Sequence, residues 1–209
     1  HAYLFGGPRG TGKTTIAKLL AKAVNCTGSP RRCDQCENCQ QITLGTHPDV
    51  IEIDAASNNG VDEVRNLIEK VKYAPTQGKY KVYIIDEFHM MSPGASNALL
   101  KTLEEPPTHV IFIFATTEPH KILPTIISRC QRFDFTKLSI QDIVHRMKDI
   151  INEEHYECDD EALELIAKLA DGGMRDALSI LEQCLAYNDQ HLTVKDVNQI
   201  YGIVSLENK

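Results

Sequence analysis

The chain has 209 residues, 42% of them hydrophobic, and a formal net charge of −7. That length holds one large domain, or one domain plus a small appendage, around a real core. No apolar run approaches the ~20 residues that cross a bilayer, and no basic stretch leads into a signal-type apolar segment, so no membrane partner and a cytoplasmic location are expected. The charge is uneven: residues 1–139 carry 16 Lys and Arg against 14 Asp and Glu, and residues 140–209 carry 6 against 15. No basic stripe announces nucleic-acid binding by itself, so any DNA contact must be local or shared with partners. The chain opens at His1, directly before its first strand, and reads as a fragment.

Ala2 to Phe5 is a short apolar run of strand type, and Thr15 to Asn25 puts Ile16, Leu19, Leu20, Ala23 and Val24 on one face at helical spacing. Between them Gly7, Pro8, Arg9, Gly10, Thr11, Gly12, Lys13 and Thr14 fit G-x-x-x-x-G-K-[ST] in a strand–loop–helix context. The glycines let the backbone curl around phosphate oxygens, and the helix N-terminus adds partial positive charge. Lys13 is expected to reach the β- and γ-phosphates of ATP and Thr14 to ligate Mg²⁺, with Thr15 completing the nucleotide contacts. A glycine-rich turn that merely starts a helix is the structural alternative.

Cys26, Cys33, Cys36 and Cys39 follow in the spacing C-x6-C-x2-C-x2-C, inside the polar, turn-rich segment Thr27 to Gln41. Four thiolates from one short loop can close a tetrahedral Zn²⁺ site that is structural, since every position is filled by protein. An iron–sulfur cluster of ferredoxin type would want a further Cys where Thr43 stands. Disulfides are the other alternative, disfavoured in a reducing compartment. Cys130, Cys158 and Cys184 lie among apolar neighbours and read as core or near-surface residues.

Val50 to Asp54 reads as a second strand, which Asp54 simply ends, and Ser57 to Gly60 as a turn capping a helix from Val61 to Tyr73. Lys81 to Phe88 is a buried strand ending in Asp86 and Glu87, the Walker B pattern. Asp86 is expected to hold Mg²⁺, and Glu87 to orient and deprotonate the attacking water. Ser92 and Pro93 start a helix that reaches Glu105 before Pro106 and Pro107 stop it. Val110 to Ala115 is a core strand ending in Thr116 and Thr117, whose hydroxyls either face a ligand crevice or cap the strand.

Ile122 to Ser128 reads as a short helix and Gln131 to Phe135 as a strand. Strands alternating with helices imply an α/β fold, a parallel sheet covered by helices on both faces. Beyond Lys137 the strand signal stops. Ile140–His155, Asp160–Ala170, Met174–Asn188 and Val194–Tyr201 show helical spacing, which divides the chain into an α/β domain at 1–138, with its cysteine insertion at 26–39, and a small all-α lid at 139–209.

Together GPRGTGKT, the four-cysteine insertion, IIDEFHMMS, ALLKTLEEPP, FATTEPHKI, ISRC and GGMRDAL resemble the AAA+ ATPases of clamp loaders across essentially the whole chain. ALLKTLEEPP and the Ser-Arg-Cys motif mark clamp loaders, and the zinc module marks the bacterial DNA polymerase III branch. The resemblance implies that Thr117 is sensor 1, that Arg129 is an arginine finger aimed at a neighbouring subunit's ATP, and that Arg175 is sensor 2. It further implies a hetero-oligomer with other clamp-loader subunits that opens a sliding clamp and loads it on primed-template DNA. The family's segment before the first strand, which helps form the adenine pocket, and its C-terminal oligomerisation domain lie outside this sequence. A nucleotide-binding scaffold subunit without turnover is the competing class. Another AAA+ remodeller, such as a Holliday-junction motor or helicase loader, is opposed by KTLEEPP and SRC.

Overall fold

The computed structural model describes residues 1–188 and 190–201; positions 202–209 of the expected lid lie outside the described residues. Two compact units form, one from residues 1–7 and 12–135, the other from residues 8–11 and from Thr136 onward.

The first unit is built on five parallel strands: β1 (Ala2–Gly6), β2 (Val50–Asp54), β3 (Lys81–Asp86), β4 (Val110–Thr116) and β5 (Gln131–Asp134), in the order β2-β3-β4-β1-β5. β4 is buried along its whole length and β3 up to Ile85, as a parallel sheet covered on both faces requires. Helices α1 (Lys13–Asn25) and α2 (Glu37–Leu44) cover one face, where Ala17, Ala21 and Ile42 pack on Phe5, Ile84 and Ile113. Helices α3 (Val61–Val71), α4 (Pro93–Glu104) and the one-turn α5 (Pro124–Ile127) cover the other, with Leu67, Leu99 and Ile126 in the cluster around Phe112 and Phe114. The register aligns Gly6 with Thr116 and Asp54 with Asp86, so β1, β3 and β4 end along one edge of the sheet. Ligands of open α/β sheets bind outside that edge.

Local chemistry explains most boundaries. Ser92 Oγ accepts the Ala95 N–H at 3.2 Å with Pro93 in the first turn of α4, and the Glu63 carboxylate accepts the Gly60 N–H at 2.7 Å at the start of α3. Three expectations are corrected. The buried ridge of α1 is Lys13, Ala17, Ala21 and Asn25, with Leu20 and Val24 only flanking it and Ile16 43% exposed. Small alanines at i, i+4 spacing let the helix sit close to the sheet, and the bulky residues are displaced to its sides. The polar cysteine segment contains a helix, α2, whose N-cap is Cys36. β3 stops at Asp86 and not at Phe88, because Glu87 turns into the left-handed region (φ 50, ψ 41) and Phe88 then plugs the core against Phe114, ring centroids 4.3 Å apart.

The second unit is helical, with α6 (Ile140–Glu153), α7 (Asp160–Leu169), α8 (Met174–Tyr187) and α9 (Val194–Tyr201) around Ile143, Met147, Ile166, Leu181 and Val197. Ser139 caps α6 through the Asp142 N–H at 3.1 Å. A two-residue parallel pair, β6 (Glu157–Cys158) and β7 (His191–Leu192), which the helical periodicity gave no sign of, ties two interhelical turns together.

Candidate functional site

The loop leaving β1 turns tightly into α1. The Gly7 N–H donates to the Thr116 carbonyl at 3.1 Å, and Gly7 has φ 149; a Cβ there would lie 2.2 Å from the Phe135 carbonyl oxygen, so only glycine fits. The Thr11 hydroxyl closes the turn by donating to the Pro8 carbonyl at 2.7 Å. Lys13, only 7% exposed, folds back over the loop and donates from Nζ to the Gly7 carbonyl at 2.8 Å. Its ammonium is thus turned back to the start of the loop instead of extending to solvent. Thr15 and Arg9 are exposed.

The loop and the end of β3 meet. Thr14 Oγ1 donates to Asp86 Oδ2 at 3.2 Å, and the other Asp86 oxygen accepts the Glu87 N–H at 2.8 Å. Adjacent oxygens around an octahedral Mg²⁺ with bonds of 2.0–2.1 Å lie about 2.9 Å apart, so these two side chains fit neighbouring positions on one ion. Beside them stand residues that sequence reasoning passed over. His89 is nearly buried, 6% exposed at its side chain, with Nε2 3.5 Å from Glu87 Oε2 and 3.4 Å from Glu118 Oε2. Its Nδ1 meets Thr116 Oγ1 at 2.9 Å, and that hydroxyl also accepts the Glu118 N–H at 3.0 Å. Glu118 is held below the usual carboxylate range, chiefly by its hydrogen bond from Lys121. Thr116 is therefore the buried, engaged threonine. Thr117 is half-buried past the strand end, and its side chain makes no hydrogen bond among the described residues.

The two arginines are placed differently: Arg129 has its own surface partners, while Met174, next to Arg175, donates its N–H to the Gly10 carbonyl of the loop at 2.9 Å. Arg129 donates to Glu104 Oε1 at 2.7 Å and to the Thr125 carbonyl at 2.7 Å. The pair is 32% and 51% exposed at its side chains, and such surface pairs contribute about 0–1 kcal/mol, little enough to be exchanged for a phosphate. Arg175 is in the first turn of α8 in the second unit, exposed and paired with no carboxylate among the described residues.

The four cysteine sulfurs gather within 4.8 Å of one another, with Cys26 3.6 Å from Cys33 and 3.9 Å from Cys36. A tetrahedron with Zn–S bonds of about 2.3 Å has edges of about 3.8 Å, so the set fits Zn²⁺. All four cysteines are free thiols. Backbone N–H groups of Gly28, Cys36 and Cys39 point at Cys26, Cys33 and Cys36 sulfurs at 3.2–3.4 Å, which favours thiolates. The Cys39 N–H holds Cys36 down to about 5, whereas burial pushes Cys39 up to about 12. A Cβ on Gly28 would stand 2.5 Å from Cys33 Sγ, so the approach requires glycine. The remaining thiols are ordinary: burial pushes Cys130 and Cys158 up to about 11, and Cys184 is fully buried in the helical core.

A buried polar strut, also absent from the sequence reading, fastens this module to the sheet. Asn38 on α2 donates to the Asn25 carbonyl at 2.8 Å and accepts from His47 Nε2 at 2.9 Å and Gln77 Nε2 at 2.8 Å. His47 Nδ1 accepts the Asp49 N–H at 3.0 Å, so the ring is the neutral Nε2–H tautomer. The Asp49 carboxylate, 1% exposed, takes the N–H groups of Thr76, Gln77 and Gly78 at 2.6–2.7 Å.

A covered parallel sheet, a glycine-rich loop entering α1 and an Asp-Glu pair closing β3 together define a P-loop nucleoside triphosphatase fold of the AAA+ class. Among solved structures, the Thermotoga maritima RuvB Holliday junction branch migration motor is similar over 99% of this chain and 62% of its own, with a TM-score of 0.66 at 17% identity, a likeness of fold. Residues 1–139 match the family model described as DNA polymerase III, delta subunit, and residues 142–190 match the DNA polymerase III clamp loader subunit, ATPase lid domain. The chain belongs to the clamp-loader subunits of DNA polymerase III. DNA polymerase III subunit tau of Bacillus subtilis is 61% identical over 98% of this chain and 37% of its own length. The Escherichia coli subunit tau is 49% identical over 97% and 32%. The chain thus spans about a third of the length of these relatives.

Proposed function

We propose that this chain is the ATP-hydrolysing part of a motor subunit of a bacterial DNA polymerase III clamp loader. The observation that carries the chemistry is the Thr14–Asp86 contact at 3.2 Å, which joins the loop to the end of β3 at the spacing of two Mg²⁺ ligands. In this reading Gly7, whose N–H stays on the Thr116 carbonyl, and Pro8 shape the turn, the N–H groups of Arg9, Gly10, Thr11, Gly12, Lys13, Thr14 and Thr15 cradle the phosphates, and Lys13 leaves the Gly7 carbonyl for β- and γ-oxygens. Thr14 and Asp86 would hold Mg²⁺, which would supply neutralisation of phosphate charge. Glu87 accepts a proton from a water positioned with Thr117. The water oxygen bonds to the γ-phosphorus as the bond to the β,γ-bridging oxygen breaks, and that electron pair leaves on ADP.

Arg129 acts on a neighbouring subunit's ATP once Glu104 releases it, and Arg175 reports the nucleotide to the helical lid. Zn²⁺ held by Cys26, Cys33, Cys36 and Cys39 is structural. Residues 1–138 form the ATPase domain and 139–209 the lid, a division supported by the separate family models over 1–139 and 142–190. The partners are other loader subunits, a sliding clamp and primed-template DNA, in the cytoplasm, and ATP binding and hydrolysis drive opening and release of the clamp. Among the described residues no helix is long and apolar enough to cross a membrane. Equilibrium ATP binding by the full-length subunit tests the reading: Lys13→Ala should abolish it. Unchanged binding with unchanged hydrolysis would rule the site out, and binding without any turnover in the native assembly would favour a scaffold subunit.

A further inference from the structure

Glu87 sits in an unusual place for a working carboxylate. Its backbone is in the left-handed region (φ 50, ψ 41), a conformation that persists only where surroundings enforce it. On the C-terminal side the enforcement is visible. Phe88, 1% exposed, is locked against Phe114, which fixes the main chain. The Glu87 side chain has three rotatable bonds and is 39% exposed, so its carboxylate needs a partner to hold one orientation. The polar side chain that comes near its carboxylate is His89.

His89 is itself held. Thr116 Oγ1 accepts the Glu118 N–H at 3.0 Å and meets His89 Nδ1 at 2.9 Å, and in the tautomer that carries the ring's N–H on Nε2 the Thr116 hydroxyl donates to Nδ1. That one N–H faces two carboxylates, Glu87 at 3.5 Å and Glu118 at 3.4 Å, each longer than a settled hydrogen bond. Glu118 is already engaged by Lys121 at 3.0 Å. A small movement therefore commits the donor to Glu87. The anchor, Thr116, is the last residue of β4 and directly precedes Thr117, so the imidazole ties the ends of β3 and β4 together at the two residues assigned to the attacking water.

We propose that His89 is a positioning residue: through Nε2 it orients the Glu87 carboxylate, while Thr116 and the end of β4 fix its own ring. The inference rests on the reading of Glu87 as the general base. General bases contribute about 10²–10⁴ in rate, and losing their orientation forfeits part of that.

The test uses the full-length subunit assembled with its partner subunits, sliding clamp and primed DNA, measuring kcat for ATP hydrolysis and the equilibrium Kd for ATP. His89→Gln keeps an N–H donor near the Nε2 position, whereas His89→Asn keeps polar atoms only near Nδ1. His89→Asn should lower kcat about tenfold with ATP Kd within about twofold, and His89→Gln should recover to within about threefold of native. A merely structural link to Thr116 gives the opposite order, Asn better than Gln, and that order overturns the proposal, as does native kcat in both. Should His89→Asn fail to fold, Thr116→Val removes the hydroxyl that holds the ring; several-fold lower kcat at unchanged ATP Kd supports the proposal and native kcat defeats it. A Glu87→Gln arm separates the two claims. Retained turnover there sinks the general-base reading itself, while lost turnover there beside native turnover in His89→Asn sinks only the positioning role.

Discussion

Asp49→Asn tests whether the buried strut carries the cysteine module. The native carboxylate is 1% exposed; Oδ1 accepts from the Thr76 N–H and hydroxyl, and Oδ2 from the Gln77 and Gly78 N–H groups at 2.7 and 2.6 Å. An isosteric amide can keep the Oδ1 bonds but turns an NH2 toward the other two donors. Each buried donor left unpaired costs about 1–3 kcal/mol, so the substitution should cost about 2–6 kcal/mol. At about 2–4 °C per kcal/mol for a chain of this size, the midpoint of thermal unfolding should fall by on the order of 10 °C.

The pH dependence is set by the same contacts. Burial pushes Asp49 up, but the N–H groups of Gly78, Thr76 and Gln77 more than offset it, and the net position is below the usual value. A depressed carboxylate contributes stability that is present above its unfolded value of about 3.9 and lost as pH falls through the folded one. The gap between native and Asp49→Asn, followed by circular dichroism, should thus be full at pH 7 and shrink below about pH 4. A loss under 1 kcal/mol at pH 7, or a gap that grows on acidification, would refute this account of the strut.

Metal-free purification followed by elemental analysis should find one Zn²⁺ per chain, and Cys36→Ser should lower the unfolding temperature while ATP binding persists; absence of zinc, or the absorbance of an iron–sulfur cluster, contradicts the assignment. Thr14→Val should raise the Mg²⁺ concentration for half-maximal turnover by at least about tenfold, and an unchanged Mg²⁺ requirement would remove Thr14 from the ion. Arg129→Ala should keep ATP but hydrolyse it about 10³-fold more slowly, and mixing it with Lys13→Ala subunits in one assembly should restore partial activity. A mixture as inactive as its components would place the finger in cis.

What could be read in the sequence was local. The glycine-rich loop, the Asp86-Glu87 pair and the four cysteines stand out because their spacing alone suggests a chemistry, and Thr14 and Asp86 do meet although 72 residues apart. The hidden parts depend on contacts that no spacing records. Thr116 could be read only as facing a ligand crevice or capping its strand, and its bond to His89, 27 positions away, is written in no spacing. Asn25, Asn38, His47 and Asp49 are unremarkable singly, and become a strut only when α1, α2 and the loop before β3 converge. α2 was masked because ENCQQITL has little apolar periodicity; its start is fixed by a cysteine sulfur accepting the Cys39 N–H. The face of α1 was misphased since side-chain bulk suggested burial where close approach instead selected alanine.

The central claim is that Glu87 turns over ATP held by the loop. Steady-state hydrolysis by the full-length subunit, assembled with its partners, clamp and primed DNA, should fall at least about 100-fold in Glu87→Gln while ATP remains bound at its native affinity. Turnover within a few-fold of native in that variant would contradict the account.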